Sequence, residues 1–181
     1  MKDKSQLLNY TIPHLLRWRV KETGAKVALR EKDFGYWNNY TWNDFYDYVR
    51  KIALGLEKVG VKRGDKLALI GDNIPEMLFM AIGAQSIGAV SAGIYQTTLP
   101  DEIAELINYM DVTAVFCDDQ EQVDKLVEIR DRIPQVRKVI YEDPRGMRSY
   151  RSDDWFLLIE DLYEIGAAAN AESPEKYDTL I

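Results

Sequence analysis

Apolar residues recur along this chain with two periods. Phe45, Val49, Ile52, Leu56 and Val59 are spaced by threes and fours, which predicts a helix with one buried face. Thr41 is its N-cap, Asp44 stands three residues on as a shortened capping-box acid, and Gly60 closes it. Other apolar residues come in short unbroken runs: Lys66–Ile70, Ala89–Ile94, Thr113–Cys117 and Arg137–Tyr141. Runs of that length read as strands buried on both faces. Helical stretches separate them. Asn73 caps the first, with Pro75 and Glu76 in its opening turn and its end near Gly88. Residues 99–110 form the second, opening on Pro100, Asp101 and Glu102. The third is amphipathic and charged, from Gln120 to Ile133, where Pro134 stops it. Strands alternating with helices predict an α/β fold, a mostly parallel sheet flanked by helices.

The flanks are simpler. Residues 12–22 suggest a short helix, with Pro13 near its start and Gly24 just past its end. Lys26–Glu31 and Tyr36–Thr41 read as an N-terminal β-hairpin turning at Asp33–Gly35. After the last strand, 142–154 reads as a loop, Trp155–Ile165 as a helix and Gly166–Lys176 as a surface loop. The expected organisation is an N-terminal arm and short helix over 1–24, an α/β subdomain over 25–141, and a loop and helix over 142–181. Met77–Pro100 carries no charge and is long enough to span a bilayer. Its Ala, Gly, Gln, Ser and Thr content instead fits a buried helix, a turn at Gly88 and a buried strand.

With 46% hydrophobic and 29% charged residues in 181, the chain is globular, not disordered or collagen-like. The single cysteine, Cys117, forms no internal bridge and favours a reducing, cytoplasmic setting. One His and one Cys exclude a Cys/His zinc site. A net charge of −7 argues against nucleic-acid binding. Residues 1–30 nevertheless hold Lys2, Lys4, Arg17, Arg19, Lys21, Lys26 and Arg30 against only Asp3 and Glu22. That basic start has two readings: peripheral contact with an anionic inner-membrane surface, or packing against the acidic body. No signal peptide is visible, since Leu7 and Leu8 are followed at once by Asn9.

In open α/β sheets, ligands bind at the carboxyl ends of the strands. Here those ends are Ile70-Gly-Asp-Asn73, Ile94-Tyr-Gln-Thr97 and Cys117-Asp-Asp119. They serve either as a ligand edge or simply as loops capping helices. Gly71-Asp-Asn lacks the further glycines of a dinucleotide fingerprint, and no Lys-Ser/Thr pair follows Gly83, Gly88 or Gly93. Those glycines are expected to serve close packing or a turn. His14 lies far from the strand ends and reads as a surface or packing residue. Cys117 reads as a small buried hydrophobe. Asp118 and Asp119 are adjacent, so their side chains point apart. The residues supply no complete catalytic set.

Tyr40-Thr-Trp42, Val49-Arg50, Gly55-Leu56, Gly60-Val61 and Gly64-Asp65, then Gly71-Asp-Asn73, Pro75-Glu76 and Gly88-Ala-Val90, follow one another in an order and spacing that resembles the opening of AMP-forming acyl-CoA synthetases. Ile94-Tyr-Gln-Thr97, Pro100, Glu102, Asp118 to Lys125 and Pro134 resemble the long-chain fatty acid branch. Met77 departs from the Trp that many members carry there. The resemblance implies a two-step reaction: a carboxylate attacks ATP to give acyl-adenylate and pyrophosphate, and CoA thiol then displaces AMP. It implies fatty acid, ATP and CoA as partners, with Mg-ATP and CoA as cofactors of the longer enzyme and none expected on this segment. The phosphate loop, adenine motifs, acyl tunnel and catalytic lysine would all follow Ile181, with Asp178–Ile181 as a strand leading into them. In related acetyl-CoA synthetases the loop matching Tyr95, Gln96 and Thr97 lies along the CoA path with an aromatic and two glycines. Tyr95 keeps the aromatic here, while Gln96 and Thr97 replace the glycines. A face left uncovered by the missing part implies homodimerisation. Two alternatives remain: a stand-alone α/β binding module, and a ligase segment for medium-chain or aryl acids.

Overall fold

The computed structural model describes residues 10–181. Helix α1 (Ile12–Thr23) precedes a hairpin of β1 (Val27–Asp33) and β2 (Tyr36–Thr41). Helix α2 (Trp42–Lys58) then leads to β3 (Lys66–Ile70), α3 (Pro75–Ser86), β4 (Val90–Ile94), α4 (Pro100–Met110) and β5 (Val112–Cys117). Helix α5 (Gln120–Glu128), β6 (Lys138–Tyr141), β7 (Phe156–Leu158), α6 (Ile159–Glu172) and α7 (Lys176–Leu180) complete the order. The five later strands form a parallel sheet ordered β4-β3-β5-β6-β7.

The sheet is covered on both faces, which explains its unbroken apolar runs. Side chains alternate along each strand. Leu67, Leu69, Ala114, Phe116 and Ile140 face a core shared with α2, α3 and α6. Ala68, Ile70, Val115, Cys117, Val139 and Tyr141 face a second core with α4 and α5. The chain steps from β3 outward to β4, then returns across β3 to β5. Right-handed crossovers in opposite directions place α3 and α4 on opposite faces.

Helix α2 forms as its sequence dictates. The Thr41 hydroxyl accepts from the Asp44 amide at 3.2 Å, and the Asp44 carboxylate accepts from the Thr41 amide at 2.8 Å. Phe45, Val49, Ile52 and Leu56 are buried along one stripe. Gly83 brings α3 against α2, since a Cβ there would lie 2.4 Å from Ile52 Cγ2. Gly88 has φ +77 and makes the turn into β4.

Several expectations are corrected. The cap of α3 is Ile74, not Asn73, and it supplies no side-chain hydrogen bond; Pro75 alone pre-sets the first turn. Helix α5 stops at Glu128, and Arg130–Arg132 tighten into a 3₁₀ turn ahead of Pro134. Phe156–Leu158 is a fifth parallel strand beside β6, not the start of a helix. Helix α6 continues through Gly166 to Glu172 where a surface loop was expected. Gly166 does not end the helix: it is the point at which α6 touches the α2 backbone. Residues 178–180 lie in α7 instead of a lead-in strand. Buried Tyr177 fixes that helix, its hydroxyl 3.1 Å from Ser86 Oγ and its ring edge-on to Tyr46.

The basic start engages the body at two points among the described residues. The Arg17 guanidinium donates to Asp178 at 3.2 Å, and Arg19 lies over the Trp42 ring. Residues 1–9, with Lys2 and Lys4, fall outside the described residues. No described helix is long and apolar enough to cross a membrane.

Candidate functional site

The carboxyl ends of β3, β4 and β5 lie side by side. The switch in strand order falls between β3 and β5, where the chain leaves toward opposite faces and a crevice opens. Here that crevice is closed by a side chain. Gly71, at φ +149, lets the backbone pass directly over the Asp118 carboxylate, and a Cβ at Gly71 would sit 2.3 Å from Asp118 Cγ. The Asp72 amide donates to Asp118 Oδ2 at 2.7 Å. Asp118 is 8% exposed and its Oδ1 has no hydrogen-bond partner. Burial raises its pKa above the ordinary carboxylate value. Asp119 turns away and caps α5 by accepting from the Gln122 amide at 3.1 Å. The two neighbouring carboxylates therefore have separate structural tasks.

The loop after β4 is tied into the same edge. Gln96 Nε2 donates to Asp72 Oδ1 at 2.7 Å, and the Lys125 ammonium donates to the Gln96 carbonyl. Lys125 also donates to Gln122 Oε1 at 3.0 Å. A turn closes where the Thr98 amide donates to the Tyr95 carbonyl at 3.0 Å. Of the three residues implied for the CoA side, Gln96 is thus held in the network. Tyr95, 86% exposed, and Thr97 point toward solvent. Tyr95 and Gln96 line a cavity of about 430 Å³ with Gly71, Asp72, Met77 and Gly93. A neighbouring cavity of about 490 Å³ lies across Asp72 and Asn73, walled by Arg30 and Lys32 of the hairpin.

Lys125 was hard to find from sequence as part of this edge. On its helix it pairs with Glu121 at 3.3 Å, one turn away, which is the ordinary pattern of a solvated face. Its side chain is only 17% exposed, and that burial records its second task of holding the Gln96 carbonyl. His14 lies at the start of α1, its ring stacked on Tyr10, remote from the strand ends. Cys117 is fully buried, and desolvation followed by the charge of Asp118 pushes its thiol well above the ordinary pKa. It is a packing residue, not a nucleophile.

The edge is acidic. Beyond β6, Glu142 is half-buried, and burial together with Glu76, Asp143, Glu160 and Glu31 pushes its pKa up to about 7. Its folded pKa lies above the ordinary 4.5, so the native state favours the protonated carboxyl. Stability from this group is intact below about pH 4.5 and is lost as pH rises through 7. Glu142→Gln is expected to raise stability at pH 8 by roughly 1–2 kcal/mol, allowing for solvent screening, and to change it little at pH 4.5. Urea unfolding at both values checks this; equal effects at the two would refute it. No cluster of three or more His, Cys, Asp or Glu that could hold a metal occurs among the described residues. Asp72, Asp118 and Asp119 gather carboxylates at this edge, while Asp143 is paired with Arg145.

Known proteins share this sequence and architecture. The chain is 27% identical over 167 residues to the rat (Rattus norvegicus) long-chain-fatty-acid–CoA ligase ACSBG1, covering 92% of this chain and 23% of that protein. With human (Homo sapiens) ACSBG1 the identity is 28% over 175 residues, again 23% of the relative's length. The chain thus spans about a quarter of these curated relatives. The anthranilate CoA ligase AuaEII, solved with anthranoyl-AMP, superposes with a TM-score of 0.75 at 17% identity, over 86% of this chain and 28% of that one. That likeness establishes the fold. The model of the AMP-binding enzyme family matches residues 16–176, nearly the whole chain, and the chain belongs to that family.

Proposed function

We propose that this chain is the N-terminal part of a long-chain fatty acid–CoA ligase that joins fatty acid to CoA through an acyl-adenylate, releasing AMP and pyrophosphate. The observation that carries the reading is the match of nearly the whole chain to long-chain ligases over about a quarter of their length. The acidic strand-end edge supports the second half of the reading: adenylation needs phosphate-cradling donors and cations, and this edge offers the opposite charge. ATP chemistry then belongs to the remainder of the enzyme, and this segment alone is inactive.

Within that reading, the loop of Tyr95, Gln96 and Thr97 is the CoA-facing element. Tyr95 offers an exposed ring on which adenine can stack at the mouth of the 430 Å³ cavity. Lys125 and Asp72 hold the loop through Gln96, so the ring is presented from a fixed backbone.

The test uses the gene product continued beyond Ile181. It is expected to release pyrophosphate in a fatty-acid-dependent reaction and to form acyl-CoA. Tyr95→Ala and Lys125→Met are each expected to raise KM for CoA about tenfold with kcat nearly unchanged, which is about 1.4 kcal/mol of uniform binding. Lys125→Arg should restore most of the loss. An unchanged KM in both Tyr95→Ala and Lys125→Met rejects the CoA assignment. A stop codon directly after Ile181, or no acyl-CoA formed, rejects the ligase reading and favours a binding module.

A further inference from the structure

Buried carboxylates are normally paired, because an ionised group taken out of water loses its hydration. Asp118 departs from this. It follows β5 with 8% of its surface exposed, and only one of its carboxylate oxygens is bonded. Oδ2 accepts from the Asp72 amide at 2.7 Å, while Oδ1 has no partner among the described residues. A lysine stands at the same edge and does not relieve it. The Lys125 ammonium is turned instead to the Gln96 carbonyl, to Gln122 Oε1 and to Glu121. Gly71 leaves the space that the carboxylate fills, since a Cβ there would lie 2.4 Å from Oδ1. Burying a half-paired charge costs free energy, so folding alone gives no reason to keep it.

What Asp118 holds leads outward, to the loop after β4. Asp72 is used in two directions: its amide points inward to Asp118, and its carboxylate accepts from Gln96 Nε2 at 2.7 Å. Gln96 is in turn held at two places, its side chain by Asp72 and its carbonyl by Lys125. Tyr95 precedes it with its ring exposed, and the Thr98 amide closes the turn on the Tyr95 carbonyl. A hydrogen bond to an ionised acceptor is shorter and stronger than one to a neutral acceptor. The charge on Asp118 therefore fixes the Asp72 backbone more firmly than an amide oxygen would.

We propose that Asp118 is a positioning residue for the CoA-side loop. Its ionised carboxylate fixes the Asp72 backbone, and the Asp72 carboxylate passes that constraint to Gln96 and so to the ring of Tyr95. The inference rests on the reading of Tyr95, Gln96 and Thr97 as the CoA-facing element. It adds a buried anchor that touches neither CoA nor any reacting atom. Asp119, which caps α5, stands outside this series of contacts.

Asp118→Asn tests it in the gene product continued beyond Ile181. The amide keeps the shape and one acceptor for Asp72 but removes the charge. A residue kept for folding loses stability when changed; this variant is expected to melt at the same temperature or higher, because a half-paired buried charge is gone. Its KM for CoA is nevertheless expected to rise about fivefold, with kcat and the KM for ATP nearly unchanged. Gln96→Ala breaks the relay at its far end and is expected to raise KM for CoA by a similar factor. Adding Asp118→Asn to Gln96→Ala should then change KM by less than about twofold further, because the two residues act through one path. An unchanged KM in Asp118→Asn, whatever its melting temperature, overturns the proposal. So does a rise by the same factor with and without Gln96→Ala. Tyr95→Ala separates the two levels: if it still raises KM, only the role of Asp118 falls, and if it does not, the CoA reading falls with it.

Discussion

Phe79→Ala is expected to destabilise the protein by about 4 kcal/mol and to lower its melting temperature by roughly 10 °C. Phe79 is fully buried at the meeting of three elements. Its ring stacks on Tyr48 of α2 with centroids 4.9 Å apart and planes 2° from parallel. It tilts against Phe45 at 5.0 Å and meets Tyr40 of β2 edge-on at 5.6 Å. Truncation removes the transfer energy of the ring and opens a cavity that these rigid neighbours cannot fill. It also removes one of the contacts that seat the hairpin on the body, beside that of Tyr40 with Tyr48. Phe79→Leu keeps most of the volume and is expected to cost about 1 kcal/mol. Calorimetry on both variants checks the pair; equal losses would mean that cavity size is not the cause.

Gly166→Ala reverses an ordinary rule. In an exposed helix interior, replacing Gly by Ala stabilises by about 1 kcal/mol. At Gly166 the added Cβ would lie 1.8 Å from the Lys51 carbonyl oxygen and 2.6 Å from its carbon. Backbone cannot yield as a flexible side chain does, so α6 must lift away from α2. On the opposite side of the same contact, a Cβ at Gly55 would lie 2.7 Å from the Leu162 carbonyl oxygen. The two glycines together set how closely the helices approach. A net loss of about 3 kcal/mol is expected, seen as a fall of roughly 1 M in the urea midpoint. An unchanged or raised midpoint would show that α6 is free to shift.

The same glycine shows where the sequence was legible and where it was not. Helix α2 was readable because its cap, its period and its closing glycine agree. The parallel strands were readable because burial on both faces makes their apolar runs continuous. Gly166 followed by a small, polar stretch looks like a helix end, and only a neighbouring backbone reveals that the missing side chain is a packing requirement. Phe156–Leu158 was missed because a three-residue strand feeding directly into a helix has no period of its own. At the strand ends, the loops themselves could be named from sequence. Their connections could not, because Gln96 to Asp72, Asp72 to Asp118 and Lys125 to Gln96 are each contacts between residues far apart along the chain.

The packing of α6 on α2 also bears on how the protein is born. Roughly a hundred residues separate the end of α2 from the start of α6. At ordinary elongation rates, that interval occupies on the order of 5–20 s of synthesis. Throughout it, the apolar stripe of α2 has left the ribosome without the helix that seals it, while β3 waits for β5 to pair on its other side. Productive folding of this chain is therefore a late event, and its nascent form is a natural client for chaperones that shield apolar helices.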